Sequence, residues 1–243
     1  MNWSHCKKLI LFEMRHTPVY YYLMNMVIAI IVGWLLSNVL PDFLVEEKTA
    51  MIVDFLFIIG LSVNIYLLRP YSFFIRKIKS QFYVAPIQIL IRQMPISQLT
   101  NIVSRFISSC ILGLFSSMIF LSSFYFFMSA NEIELLFPNY FSFSLIWILL
   151  VVGNAGLVAA SEPGDHMTNL YMSIWWIVLL IVGIGTLLIV RFTTGNFVFE
   201  WVVIGAREMP ILLPVMIIPV AGLCNLLWVN YMKKYLDKTD YHI

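Results

Sequence analysis

Apolar positions in this chain of 243 residues come in long runs, not in alternation. Charge-free windows extend from Val19 to Leu40, Phe106 to Asn131, Leu135 to Ser161, His166 to Val190 and Met209 to Met232. A further run, Thr49 to Leu68, is interrupted only by Asp54. A hydrocarbon core of about 30 Å is crossed by about 20 helical residues, so each run is long enough to span. Barrel strands would alternate lipid-facing and lumen-facing residues, whereas these runs are apolar all round. Helices also satisfy their own backbone hydrogen bonds in lipid. The pattern therefore predicts an all-α membrane protein of one domain, residues 1–243. Its six transmembrane helices are expected at about 19–40, 49–70, 99–128, 140–160, 169–190 and 210–232.

Three segments outside the spans carry structure of their own. In residues 1–18, Trp3, Cys6, Leu9, Ile10 and Met14 can share one helical face, with Lys7, Lys8, Glu13 and Arg15 mostly on the other. That reads as an interfacial helix ended by Pro18, against the alternative of a basic tail. The connection from Arg69 to Thr100 is basic, aromatic and amphipathic, too apolar for a disordered linker. The connection from Arg191 to Glu208 is too short to span and too apolar for a wet loop, which predicts a re-entrant or interfacial helical piece before the last span.

Charge sets the orientation. With the N-terminus inside, Lys7, Lys8, Arg15, Arg69, Arg76, Lys77, Lys79, Arg92, Arg105, Lys233, Lys234 and Lys238 fall on the cytoplasmic side, and only Lys48, Arg191 and Arg207 fall outside. That bias matches the positive-inside rule and predicts a multi-pass plasma-membrane protein with both termini cytoplasmic. The same topology explains the basic residues without nucleic acid, and makes the anionic inner leaflet a partner. No cleavable signal sequence is expected, because charge runs through Arg15 before the first span. Cys6, Cys110 and Cys224 fall in cytosolic or membrane positions, where disulfides are not expected.

The chemistry of the polar residues excludes more than it suggests. There is no G-x-x-x-x-G-K-[ST] loop and no H-E-x-x-H, and His5, His16, His166 and His242 all map to cytoplasmic segments. The Glu46–Glu47 pair resembles that of CAAX-type proteases, but Met51 stands where an Arg is expected and no span offers a His. No enzyme activity, catalytic residue or metal site is expected on this chain. Asp54 is the ionisable residue within a predicted span, near its outer end, and reads as a structural hydrogen bond or an interfacial position ahead of a coupling-proton site. Asn25, Asn64, Asn154 and Asn225 suit interhelical hydrogen bonds, with cargo contact as the alternative. Ser109, Gly113 and Ser117 on the third span, and Ala155, Gly156, Ala159 and Ala160 on the fourth, form small-residue faces for intrachain packing or a dimer seam.

The most specific stretch is Ile87-Gln88-Ile89-Leu90-Ile91-Arg92-Gln93-Met94-Pro95-Ile96-Ser97, followed by Ile102-Val103-Ser104-Arg105-Phe106. It resembles the "L-R-x-L-P-I-S … I-x-x-S-R" segment before the third span of ABC-2-type transporter permeases of Gram-positive type. Met94 stands in place of the usual Leu. The layout agrees along nearly the whole chain, although only about twenty residues are motif-like. The resemblance implies the membrane subunit of an ABC exporter, driven by a separate cytosolic ATPase that binds ATP and Mg, with no cofactor on this chain. It implies a homodimer or a paired permease, and an amphipathic or hydrophobic cargo such as a peptide, antimicrobial or lipid. A coupling helix, roughly Gln81 to Gln93, would dock in an ATPase groove through Gln81, Ala85, Gln88, Ile89, Arg92, Gln93, Met94 and Pro95. The turn at Glu162 and Asp165 would be a second contact. Read from the residues, Pro95 disfavours helix at Met94 and Ser97 can cap the next helix, which makes a stiff corner. Two other classes stay open: a non-transporting scaffold or sensor that docks a signalling protein, and an ion-coupled secondary transporter, which would show inverted repeats and broken spans.

Overall fold

The computed structural model describes residues 1–45, 53–58, 61, 65, 68–79, 82–130, 137–166 and 168–239. The chain is mostly helical. An N-terminal helix α1 (Trp3–His16) is capped by the Asn2 side chain, which accepts from the amides of Ser4 and His5. Pro18 breaks it from α2 (Val19–Val45). Residues 53–58 are helical, and a 3-10 turn follows at Tyr71–Phe73. A short segment carries β1 (Arg76–Lys79), β2 (Phe82–Val84) and α3 (Pro86–Gln93), and beyond it come α4 (Gln98–Ala130), α5 (Phe137–Ser161), α6 (Asn169–Thr194), α7 (Val198–Glu208) and α8 (Leu212–Lys238).

Among the described residues, five helices are long and apolar enough to cross a membrane: α2, α4, α5, α6 and α8. The predicted span at 49–70 lies in part outside the described residues. The short α7 occupies the connection where a helical piece was expected.

The segment between Arg69 and Thr100 departs from expectation. Instead of one helix from Gln81, a hairpin forms first, with β1 (Arg76–Lys79) antiparallel to β2 (Phe82–Val84). A third strand, β3 (Asp165–His166), pairs with β2, giving the order β1-β2-β3. Helix α3 begins only at Pro86 and ends at Gln93. The reason is local. Phe82, Tyr83 and Val84 favour extended backbone, and a proline pushes its predecessor to extended conformation while suiting the first helical position itself. Ala85 accordingly has φ −71° and ψ 124°. The corner after α3 is as expected, with Met94 extended before Pro95 at φ −91° and ψ 151°. Ser97 Oγ then accepts from the Thr100 amide at 3.4 Å, capping α4.

One glycine fixes how β3 meets β2. Gly164 has φ +72°, and a Cβ built there would lie 1.9 Å from the Tyr83 carbonyl oxygen and 2.7 Å from Val84 Cα. A side chain has neither the backbone conformation nor the space at this position.

Small residues set the helix spacing elsewhere. A Cβ at Gly33 of α2 would sit 2.5 Å from Ser123 Oγ of α4, and Ser123 donates to the Ala29 carbonyl at 3.3 Å. On α5, Gly153 faces Ala221 of α8, and Gly156 faces Phe106, Asn225 and Trp228. Asn225 Nδ2 donates to the Val152 carbonyl at 3.0 Å, joining the same pair of helices. The face of Ser109, Gly113 and Ser117 is turned into the chain's own bundle, where Gly113 packs on Ile65 and Val151. Close approach of this kind replaces the hydrophobic driving force that lipid does not supply. Among the described residues, helix α6 by contrast packs mainly on α7 and is largely exposed.

Candidate functional site

The foot of α4 carries Asn101, Arg105 and Ser109 at four-residue spacing, which stacks them on one helical face. That face is buried, and four other segments converge on it. Arg105 extends from α4 to two carboxylates. Its Nη1 donates to Glu13 Oε2 at 2.7 Å, and its Nε donates to Glu162 Oε2 at 2.7 Å. Its Nη2 donates to Glu162 Oε1 at 2.9 Å and to Glu13 Oε1 at 3.3 Å. Arg69, at the end of the second predicted span, donates from Nη1 to Glu162 Oε1 at 2.6 Å and from Nη2 to Ser109 Oγ at 2.6 Å. Its Nε lies 3.4 Å from Glu13 Oε1.

Helix α3 joins through an amide. Gln88 Nε2 donates to Glu162 Oε2 at 2.8 Å, and its Oε1 accepts from Asn101 Nδ2 at 2.9 Å. The Phe73 ring covers the remaining face of Arg105, 4.5 Å from ring centroid to Cζ. The cluster thus links α1, the Arg69 segment, α3, the foot of α4 and the turn after α5. All four ionised side chains are at most 2% exposed.

Two cations and two anions make the cluster neutral, which is what allows its burial. Removing ions from water is offset only where geometry is good and the remaining donors are satisfied. Burial alone would raise the Glu162 carboxyl; the guanidinium of Arg105, then that of Arg69, hold it below the ordinary carboxylate range. Chemically the arrangement holds charge in place. Through these bonds it ties five segments of the chain to one another.

The expected coupling residues separate into two groups. Gln88 and Glu162 are buried in the cluster rather than exposed: Glu162 accepts from Arg69 and Arg105, and Gln88 is held between Glu162 and Asn101. This corrects the expectation for those two. Ala85 is also buried, its amide donating to the Glu162 carbonyl at 3.2 Å. Ile89 is half-buried, while Gln93, Met94 and Pro95 are exposed with Leu90. Arg92 is exposed and donates to the Leu236 carbonyl of α8. Gln81 lies outside the described residues; Asp165 pairs with Tyr83 through its backbone, and its side chain is outside the description.

Sequence reasoning placed Glu13 largely on the polar face of α1, whereas it is buried with Cys6. The signal was the seven-residue spacing from Cys6 to Glu13, two helical turns on one face. Asn101 carries no sequence signal of its own, and Arg69 and Arg105 are read from the sequence as inside charges at span ends. Their counterpart, a buried acid on each of two distant segments, becomes visible only once the segments are brought together.

Asp54 resolves differently. Its two carboxylate oxygens accept from the amides of Val198 at 2.8 Å and Phe199 at 2.6 Å, the first amides of α7. Glu200 Oε2 accepts from the Phe197 amide at 3.0 Å. Asp54 therefore caps a helix from a distant segment, satisfying amides that have no intrahelical partner. No family model, no curated protein and no solved structure matches this chain significantly.

Proposed function

We propose that the chain is the membrane-embedded permease subunit of an ABC transporter that exports an amphipathic cargo, with ATP hydrolysed on a separate cytosolic subunit. One observation carries this reading. Helix α3 is a short amphipathic lever whose inner face, Ile87, Gln88 and Ile91, is buried against the bundle, while Leu90, Gln93 and Met94 remain exposed. Its Gln88 reaches the same carboxylate that holds Arg105. A push on the exposed face of α3 would pass through the cluster to the foot of α4, the longest helix described, without a flexible joint. Such a part suits a protein whose energy source lies on another chain.

Under this reading the basic end faces the cytosol, both termini lie there, and the protein is a multi-pass component of the plasma membrane. It would work as a homodimer or with a related permease. Asp54 acts as a helix cap, which speaks against proton coupling at that position.

The test uses Leu90→Asp with Gln93→Asp, both on the exposed face. Purification from native membranes should recover an ATPase with the wild-type chain. The double variant should lose that ATPase about tenfold, roughly 1.4 kcal/mol of binding, with an unchanged unfolding midpoint. Equal recovery from variant and wild type, or no ATPase with either, would overturn the proposal.

A further inference from the structure

Helices α1 and α3 do not close against each other fully. Between them lies a cavity of about 350 Å³. Leu9 and Phe12 of α1, Phe73 of the turn, and Ile87 and Ile91 of α3 form apolar walls. Lys8 and His5, both exposed, also border it, and no carboxylate is among its lining residues. Arg105 borders it too, already held by Glu13 and Glu162 behind it. We propose that this cavity binds an anionic phospholipid, with one acyl chain between α1 and α3 and the headgroup on Lys8 and His5.

Charge complementarity and position select this occupant. A water-soluble anion would leave the apolar walls unfilled, and a zwitterionic lipid would gain little from a basic rim that has no acid beside it. The volume is at the low end of the roughly 300–1,000 Å³ range of ligand sites, which suits one chain. At the opening α1 exposes Phe12, an apolar side chain suited to contact with a membrane surface. The basic end is where anionic lipid concentrates, and this step rests on the orientation adopted above. A bound chain would fill the gap between two helices pinned to the same charge cluster, and so would brace α3 against α1.

The experiment is native mass spectrometry of the full-length protein in mild detergent, titrated with phosphatidylglycerol or phosphatidylcholine of identical acyl chains. Phosphatidylglycerol should be retained about fivefold better, the gain expected from one surface lysine. His5→Glu with Lys8→Glu should abolish that preference, and Leu9→Trp should reduce retention of both lipids by filling the cavity. A photo-crosslinking residue in place of Phe12 should yield an adduct of lipid mass in membranes. Equal retention of the two lipids, or a preference that survives the His5 and Lys8 changes, would overturn the proposal. So would cross-linking at Phe12 to a protein, which would make the cavity a seat for a partner segment or a second copy. None of these results bears on ATPase recovery, so the transport reading stands or falls separately.

Discussion

At one end of the bundle Phe57 packs among Phe120, Phe124, Phe143, Trp147 and Phe199, with ring centroids 5.0 to 6.0 Å away. At the other end Arg105 sits among Glu13, Arg69, Glu162 and Phe73. Both centres are fully buried and both join segments distant in sequence. They differ in what holds them. Aromatic rings in edge and tilted contact are bound by short-range packing, which weakens within about 1 Å of separation but needs no particular partner. The ionic centre depends on a fixed count of charges, each needing its counterpart. The apolar centre can therefore lose one ring and keep its other contacts, whereas the ionic centre that loses one charge leaves another buried and unpaired.

The largest expected effect comes from breaking the ionic centre. Arg105→Met leaves Glu13 and Glu162 with Arg69 as their cation, and removal of one partner from a buried ion pair typically costs about 3–5 kcal/mol. The unfolding midpoint in detergent should fall sharply, with part of the loss recovered when Glu13→Gln is added. A loss under about 1 kcal/mol would mean that the cluster behaves like a solvated surface pair.

Phe57→Ala should cost less, about 2 kcal/mol by the same measurement. In water-soluble cores Phe→Ala costs roughly 3–5 kcal/mol, part of it the transfer of the side chain from water. Lipid offers an apolar alternative, so mainly lost packing and cavity terms remain. A cost above that of Arg105→Met would reverse the ranking of the two ends.

Acid titration gives the smallest and most selective difference. A carboxyl held below its ordinary value contributes stability that is present above the unfolded value of about 4.3 and is lost as pH falls through the native value. Glu162 is such a group. Wild type and Phe57→Ala should therefore lose stability with the same acid limb, and Glu162→Gln should flatten it. An equal slope in all three would detach Glu162 from the acid response.

The two ends were unequally legible in the sequence. Runs such as Phe106 to Asn131 gave helix positions directly, because lipid imposes length and continuity on each segment alone. The corner at Met94, Pro95 and Ser97 was legible for a similar reason, since its chemistry is local. The charge cluster was not, because its charged residues belong to four segments and each has a separate reading: Arg69 and Arg105 as inside charges, Glu13 as part of a polar helix face, Glu162 as a docking contact. Expecting exposed contacts ignored that two buried guanidinium groups need an acceptor, which Glu162 supplies, and that Gln88 is then drawn in as a donor to Glu162 and an acceptor for Asn101. The hairpin escaped because the β-favouring Phe82, Tyr83 and Val84 run almost directly into a helix, and the boundary is marked by Pro86 at its first position rather than by a change in hydrophobicity.

Gly164 ties these levels together. Glu162 stands two residues before it, so the contact of this loop with Tyr83 fixes how deeply the carboxylate is inserted. A methyl group added there would push the turn away from the hairpin and withdraw the anion that Arg69, Gln88 and Arg105 share. The neutrality of the bundle's buried foot thus hinges on a hydrogen atom where every other amino acid carries carbon.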